Sequence, residues 1–125
     1  LGGHAHVPQP MEWRSVTVED GAERTGFVLY SIGNFVSCQS DPYTQDTAVF
    51  QFELEKDMET GEAKVAGVDY RPMYMADFGK GAEDRYVLLD VEKELERADI
   101  SDALRAKLEK CAAECEAIWG PRDEN

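Results

Sequence analysis

The two histidines of the chain, His4 and His6, stand one residue apart behind a pair of glycines. In an extended segment residues i and i+2 point to the same side, so the two imidazoles can converge. Gly3, directly before His4, lets the backbone turn tightly and approach an ion. Because a catalytic metal takes three or more protein ligands, the pattern predicts half of a metal site. The alternative is a surface loop with two incidental histidines.

Polar residues near the histidine pair are candidates for supporting it. Glu12 could accept the second N–H of a histidine, although a solvent-facing strand position is the commoner role for such a residue. Asn34 could reach the metal site or cap the histidine loop, and its alternative is a structural turn. Asp41 and Asp46 fall in a polar loop, where solvation is the default for carboxylates.

Three cysteines do not form a disulfide framework. Cys111 and Cys115 share one face of a predicted helix, and we expect them to pack as small apolar side chains rather than to bind metal. Cys38 lies beside a predicted loop, so we expect a free thiol.

Two segments resemble a known family. Gly3-His4-Ala5-His6-Val7 resembles the last metal-binding motif, Gly-His-x-His, of calcineurin-like metallophosphatases. Residues 8–13 (Pro-Gln-Pro-Met-Glu-Trp) and residues 29–36 (Leu-Tyr-Ser-Ile-Gly-Asn-Phe-Val) resemble the C-terminal part of the CapA family of poly-gamma-glutamate capsule biosynthesis proteins. In that family a His-Pro-His-Val-x-Gln run precedes Tyr-Ser-Leu-Gly-Asn-Phe. The chain has Ala5 and Ile32 where the family often has proline and leucine.

The resemblance implies a dinuclear site of Mn, Fe or Zn, with His4 and His6 as ligands, one facing each ion. It implies supporting roles for Gly3, Gln9, Glu12 and Asn34. The family's other ligands belong to Asp-x-His, Gly-Asp and Gly-Asn-His motifs, which we expect upstream of this chain. We therefore interpret the chain as the C-terminal region of a larger protein and expect no catalysis from it alone.

The intact protein would then be a metal-dependent hydrolase or transferase linked to capsular poly-gamma-glutamate, outside the cytoplasm or at the membrane; a cytoplasmic location stays open. A different class of function is a scaffold of a polymer-export complex with a degenerate metal site. A generic metallophosphodiesterase or nucleotidase is a weaker alternative. The expected partners are the N-terminal half of the same protein, a second copy of the chain and the capsule machinery.

The composition excludes some partners. The formal net charge is −13, and no basic stripe interrupts the acidic surface that this charge predicts. Nucleic acids and anionic lipid headgroups bind clustered lysine and arginine, so neither is an expected partner. No apolar run is long enough to cross a bilayer.

The hydrophobic pattern predicts strands first and helices last. Strands are expected over 11–18, over 25–36 with a break at Gly33–Asn34, over 47–56 and over 63–74. Residues 85–89 are expected to form a last strand or to lead into a helix. The apolar run at 27–30 favours burial on both faces of its strand, and the strand over 47–56 alternates between an apolar and a polar face. Five aromatic side chains are expected in the core, namely Tyr30, Phe35, Phe50, Phe52 and Tyr70.

Beyond Val91 the spacing becomes helical. Ser101 is a predicted N-cap, Leu104 to Ile118 follow a 3.6-residue period, and Gly120–Pro121 ends the helix. The fold class is therefore α+β, with a β-rich part over 1–90 and a helical segment over 91–125 packed on it. The family implies the C-terminal half of a four-layer α/β/β/α sandwich with antiparallel or mixed strands.

Overall fold

The computed structural model describes residues 1–122, which form an α+β fold of two antiparallel sheets and two helices. The last three residues of the predicted helical segment lie outside this part. The elements are β1 Pro8–Thr17, β2 Glu23–Ile32, β3 Asp46–Lys56, β4 Ala63–Asp77, β5 Tyr86–Asp90, α1 Val91–Glu96 and α2 Asp102–Trp119. One sheet pairs β1 with β2, and the other has the order β3–β4–β5. The predicted α+β class is confirmed.

The β1–β2 hairpin begins three residues earlier than the pattern predicts, because two prolines are accommodated at the start of β1. Pro8 pairs with Ile32 and has no N–H to donate. The Ile32 carbonyl instead accepts a hydrogen bond of 2.8 Å from the hydroxyl of Thr47 on β3. This bond ties the end of the hairpin to the second sheet. The strand break expected at Gly33 is confirmed, since Gly33 has a left-handed φ of 77°.

The apolar run of β2 is not buried on both faces, so that prediction is wrong. Leu29 is fully buried, but Tyr30 is 42% exposed. The reason is that β2 belongs to a two-stranded sheet with one packed face. On that face Phe27 lies edge-on to Trp13 and to Phe52 of β3, with ring centroids 5.2 and 5.7 Å apart.

The second sheet confirms the alternation predicted for β3. Ala48 is buried and Phe50 and Phe52 are half-buried on one face, whereas the intervening Val49 and Gln51 are exposed. The β3–β4 turn is closed by the carboxylate of Asp57, which accepts from the backbone N–H groups of Glu59 and Thr60. The predicted hairpin is thus formed with local side-chain hydrogen bonds.

Helix α2 contributes several of the most buried side chains of the core. The Ser101 hydroxyl accepts from the Leu104 N–H as the predicted N-cap, and Gly120 ends the helix. Leu108, Cys111 and Cys115 are completely buried, which confirms the expected packing role of the two cysteines. At the end of α2, Trp119 lies edge-on to Phe50 and Tyr70 at centroid distances of 5.0 and 5.3 Å.

Phe35 is 44% exposed, so its predicted place in the core is wrong, like that of Tyr30. Both residues lie near the end of β2, where the two-stranded sheet has no second layer over its outer face. Cys38 is an exposed free thiol, as expected. Within residues 1–122, neither helix is both long and apolar enough to cross a membrane.

Candidate metal-binding loop

The histidine loop, residues 4–7, precedes β1 and carries two exposed imidazoles on an unusual backbone. His4 and His6 both have left-handed φ angles, of 84° and 60°. The extended geometry expected from their spacing is therefore wrong. The rings nevertheless lie near each other, with centroids 6.4 Å apart. Left-handed conformations cost a non-glycine residue about 1 kcal/mol or more, so the surroundings must hold this loop in place.

The side chain of Asn34 holds the loop at His6. Asn34 follows β2 and is 9% exposed. Its Oδ1 lies 2.8 Å from Nδ1 of His6. Its Nδ2 donates to Gln39 Oε1 at 2.6 Å and to the Thr44 carbonyl at 3.3 Å. The amide thus joins the histidine loop to the segment that leads into β3.

This network determines which nitrogen of His6 can bind a metal. A backbone carbonyl only accepts hydrogen bonds, so the Thr44 oxygen requires the Asn34 amide nitrogen to face it. The amide oxygen must then face His6, and since it also only accepts, the proton of neutral His6 resides on Nδ1. Nε2 is left with its lone pair, which is the form that ligates a metal.

Two glycines are required by close backbone contacts near the loop. The Gly2 N–H donates to the Leu29 carbonyl at 2.7 Å, and a Cβ on Gly2 would overlap the Tyr30 carbonyl oxygen. A Cβ on Gly33 would lie 2.6 Å from the carbonyl oxygen of Asp46. Gly3, in contrast, has open space around it. Close approach to the backbone of β2 is therefore the task of Gly2, and the supporting role of Gly3 stays a prediction.

Glu12 and Gln9, the other two supporting candidates, make different contacts from Asn34. The Tyr30 hydroxyl donates to Glu12 Oε1 at 2.5 Å, and Arg14 Nε lies 3.6 Å from the same oxygen. The hydrogen bond to Glu12 raises the pKa of Tyr30 above its usual value. The Gln9 carbonyl accepts from the Trp119 indole at 2.7 Å, which fixes the second residue of β1 against α2.

The acidic residues of the 33–45 loop and the start of β3 differ from each other. Asp41 is exposed as expected, but Asp46 is 5% exposed, so the expectation of a solvated carboxylate is wrong there. Over residues 1–122, no group of three or more His, Cys, Asp and Glu side chains is placed to hold a metal ion. The described residues therefore contain no complete set of metal ligands, and a ligand role for His4 and His6 stays a prediction.

Two residues of the site carry no signal in the sequence. Gln39 and Thr44 orient Asn34, the first by its side chain and the second by its backbone carbonyl. Polar residues in a polar loop are common, and a carbonyl is present at every position. The left-handed φ of 66° at Tyr43, beside Thr44, is likewise visible only in the structure.

Comparison with known proteins gives one relevant similarity. The chain is 36% identical over 69 residues to the PGA biosynthesis protein CapA of Bacillus subtilis (strain 168). The aligned region covers 55% of this chain and 16% of CapA, so the chain spans a small part of the length of that relative. No family model matches the chain, and no solved structure matches it significantly. The chain is thus related to CapA in part of its sequence.

Proposed function

We propose that this chain is part of a CapA-related protein and supplies His4 and His6 to a divalent metal site. The remaining ligands would come from residues upstream in the same polypeptide. The observation that carries the proposal is the hydrogen bond between His6 and Asn34, because it leaves Nε2 of His6 as a free lone pair on an exposed ring. The proximity of the two imidazoles and the strained backbone that presents them support it.

Six residues of the chain have a defined task in this proposal. His4 and His6 bind the metal, which would be Mn, Fe or Zn as the resemblance to calcineurin-like metallophosphatases implies. Asn34 orients the His6 ring by accepting its Nδ1–H. Gly2 and Gly33 let the loop approach neighbouring backbone, and Gln9 anchors its end to α2. A bound divalent metal would activate water and polarise a phosphoryl or carbonyl oxygen.

The activity of the intact protein would be metal-dependent hydrolysis or group transfer in the biosynthesis of poly-gamma-glutamate. The similarity to the PGA biosynthesis protein supports this substrate class. A location outside the cytoplasm or at the membrane belongs to the same proposal. The N-terminal half of the polypeptide is the first partner, because two imidazoles leave most of a coordination sphere to other ligands.

Metal binding to the 125-residue chain and to a longer form with its upstream residues tests the proposal. Elemental analysis should find metal on the longer form, and titration calorimetry with Mn²⁺ and Zn²⁺ should show much weaker binding to the 125-residue chain. His4→Ala and His6→Ala should each lower the affinity of the longer form by about 10-fold or more. Glu19→Gln, in the turn between β1 and β2, is the matched control and should bind normally.

Equal metal content and affinity in the wild type and in the double variant His4→Ala/His6→Ala would overturn the metal site. A long form that binds no metal would favour the scaffold function instead. Turnover of nucleotides or simple phosphodiesters, without cleavage of poly-gamma-glutamate, would favour the generic phosphodiesterase.

A further inference from the structure

The amide nitrogen of Asn34 donates to two acceptors, and the contact with Gln39 is the shorter one. Gln39 Oε1 lies 2.6 Å from Nδ2 of Asn34, whereas the Thr44 carbonyl oxygen lies 3.3 Å from it. A primary amide nitrogen carries two hydrogens, so Asn34 can donate one hydrogen to each acceptor. The two contacts together use the full donor capacity of this side chain.

The Thr44 carbonyl belongs to a part of the chain that is tied to the second sheet. Thr44 is 5% exposed, and both its N–H and its hydroxyl donate to the Asp41 carbonyl, at 3.1 and 2.7 Å. The side chain of Gln45 donates to the Met75 carbonyl of β4 at 2.9 Å, and the Met75 N–H donates to the Gln45 carbonyl at 2.9 Å. The Thr44 acceptor is therefore held in place, but its distance from Asn34 makes the hydrogen bond a weak one.

Gln39 lies in a more exposed part of the same loop. Gln39 itself is half-buried, whereas its neighbours Cys38 and Ser40 are exposed. The Gln39 N–H donates to the Ser37 hydroxyl oxygen at 3.2 Å, and this local bond constrains the backbone at residue 39. The stronger of the two holds on Asn34 thus comes from a loop residue that is not itself part of a strand or helix.

The orientation of the Asn34 amide determines the tautomer of His6. In the observed orientation the Asn34 oxygen faces Nδ1 of His6 and the nitrogen faces Gln39 and Thr44. If the amide turned over, its oxygen would face two acceptors and its nitrogen would face Nδ1 of His6. Neutral His6 would then carry its proton on Nε2, because Nδ1 would have to accept. Gln39 and the His6 tautomer are therefore coupled through one amide group.

We propose that Gln39 is a positioning residue for His6 and acts on it through Asn34. Its side-chain oxygen holds the Asn34 amide in the orientation that keeps the His6 proton on Nδ1 and leaves the lone pair of Nε2 free. The effect on the ring is a property of the metal-free chain. Its consequence for metal affinity rests on the function proposed above.

The tautomer of His6 in the metal-free 125-residue chain tests the proposal. ¹⁵N NMR at about pH 8.5, where an ordinary imidazole is neutral, distinguishes the Nδ1–H from the Nε2–H ring. Gln39→Leu removes the acceptor, so the ratio of the Nδ1–H to the Nε2–H form should fall by about 5-fold, the equilibrium effect of one hydrogen bond. Gln39→Glu retains an oxygen that accepts from Asn34 and should keep the wild-type ratio.

Gln45→Leu is the matched control, because it removes a glutamine side chain from the same loop whose hydrogen bond is directed at Met75 rather than at Asn34. It should lower the stability of the chain and leave the His6 tautomer unchanged. An unchanged tautomer ratio in Gln39→Leu, or an equal change in Gln45→Leu, would overturn the positioning role.

Hydrogen exchange in the wild type decides the matter even if Gln39→Leu fails to fold. Both side-chain amide hydrogens of Asn34 should exchange much more slowly than those of the exposed Gln51, because each is donated to an acceptor. One slow and one fast hydrogen on Asn34 would mean that only Thr44 holds the amide, and this result would overturn the role of Gln39.

Metal binding to the longer form separates this inference from the proposed metal site. In Gln39→Leu the affinity for Zn²⁺ should fall by about 5-fold, and in Gln39→Glu it should be normal. Equal affinity in Gln39→Leu and the wild type would overturn the consequence for the metal. A shifted tautomer in a longer form that binds no Zn²⁺ would overturn the metal site and support the positioning role.

Discussion

The histidine loop and the buried face of α2 achieve their geometry in opposite ways. On α2, Leu108, Cys111 and Cys115 are fully buried in the core, and the two thiols also donate to the backbone carbonyls of Met73 and Thr47. In the loop, His4 and His6 are exposed and adopt a costly backbone conformation. The position of an exposed side chain cannot be secured by burial, so it depends on hydrogen bonds instead.

The histidine loop is held in place by hydrogen bonds that link its flanking strands to the core. The Trp119 indole holds Gln9 at one end of the loop, and Thr47 holds Ile32 at the end of β2. Asn34, which follows β2, then holds the His6 ring in place through its hydrogen bond to Nδ1. Changes in the core should therefore reduce stability greatly, whereas changes at the amide should alter the histidine with a smaller loss of stability.

The largest expected effect is that of Trp119→Ala, because Trp119 belongs to α2 and also holds Gln9, two residues after the histidine loop. Removing the indole leaves a cavity beside Phe50 and Tyr70 and frees the Gln9 carbonyl. We expect the free energy of unfolding to fall by about 4 kcal/mol, as measured by urea denaturation. Trp119→Phe retains much of the packing and should lose about half as much. A loss below about 1 kcal/mol for Trp119→Ala would contradict the anchoring role.

Gly33→Ala should have the second largest effect. Gly33 combines a left-handed φ with a close carbonyl oxygen of Asp46, so its Cβ cannot be accommodated without movement of β3. Gly61 has nearly the same φ, 76°, but open space around it. We expect Gly61→Ala to cost about 1 kcal/mol and Gly33→Ala about 2 kcal/mol more, in the same urea measurement. Equal losses would show that the contact with β3 does not matter.

The substitutions with the smallest expected effects test which of two residues, Asn34 or Glu12, orients the ring of His6. Asn34→Ala removes the acceptor of the Nδ1–H, so ¹⁵N NMR should show a shift of the neutral ring towards the Nε2–H tautomer, with a loss of about 1–2 kcal/mol in stability. Glu12→Gln should change stability by less than about 0.5 kcal/mol and leave the tautomer unchanged, since Glu12 contacts Tyr30 at the surface. A tautomer shift in Glu12→Gln alone would reverse the assignment.

Local patterns in the sequence determined several of the helices, strands and strand ends of this protein. The helical period from Leu104, the Ser101 cap and Gly120 predicted α2, because a helix is specified by residues within a few positions of each other. The alternation of β3 and the strand break at Gly33 followed from the same local logic. The histidine pair itself is visible in the sequence as two imidazoles one residue apart, which makes both residues candidate metal ligands.

Only the tertiary structure decided which faces are covered and which distant groups meet. Tyr30 is exposed and Asp46 is buried because β2 lacks a second packed face and α2 lies over the start of β3. Asn34 reaches His6 across 28 residues of sequence. Such contacts depend on how the two sheets and α2 assemble, and the free energy of that assembly is a sum over the whole core rather than a property of any one segment.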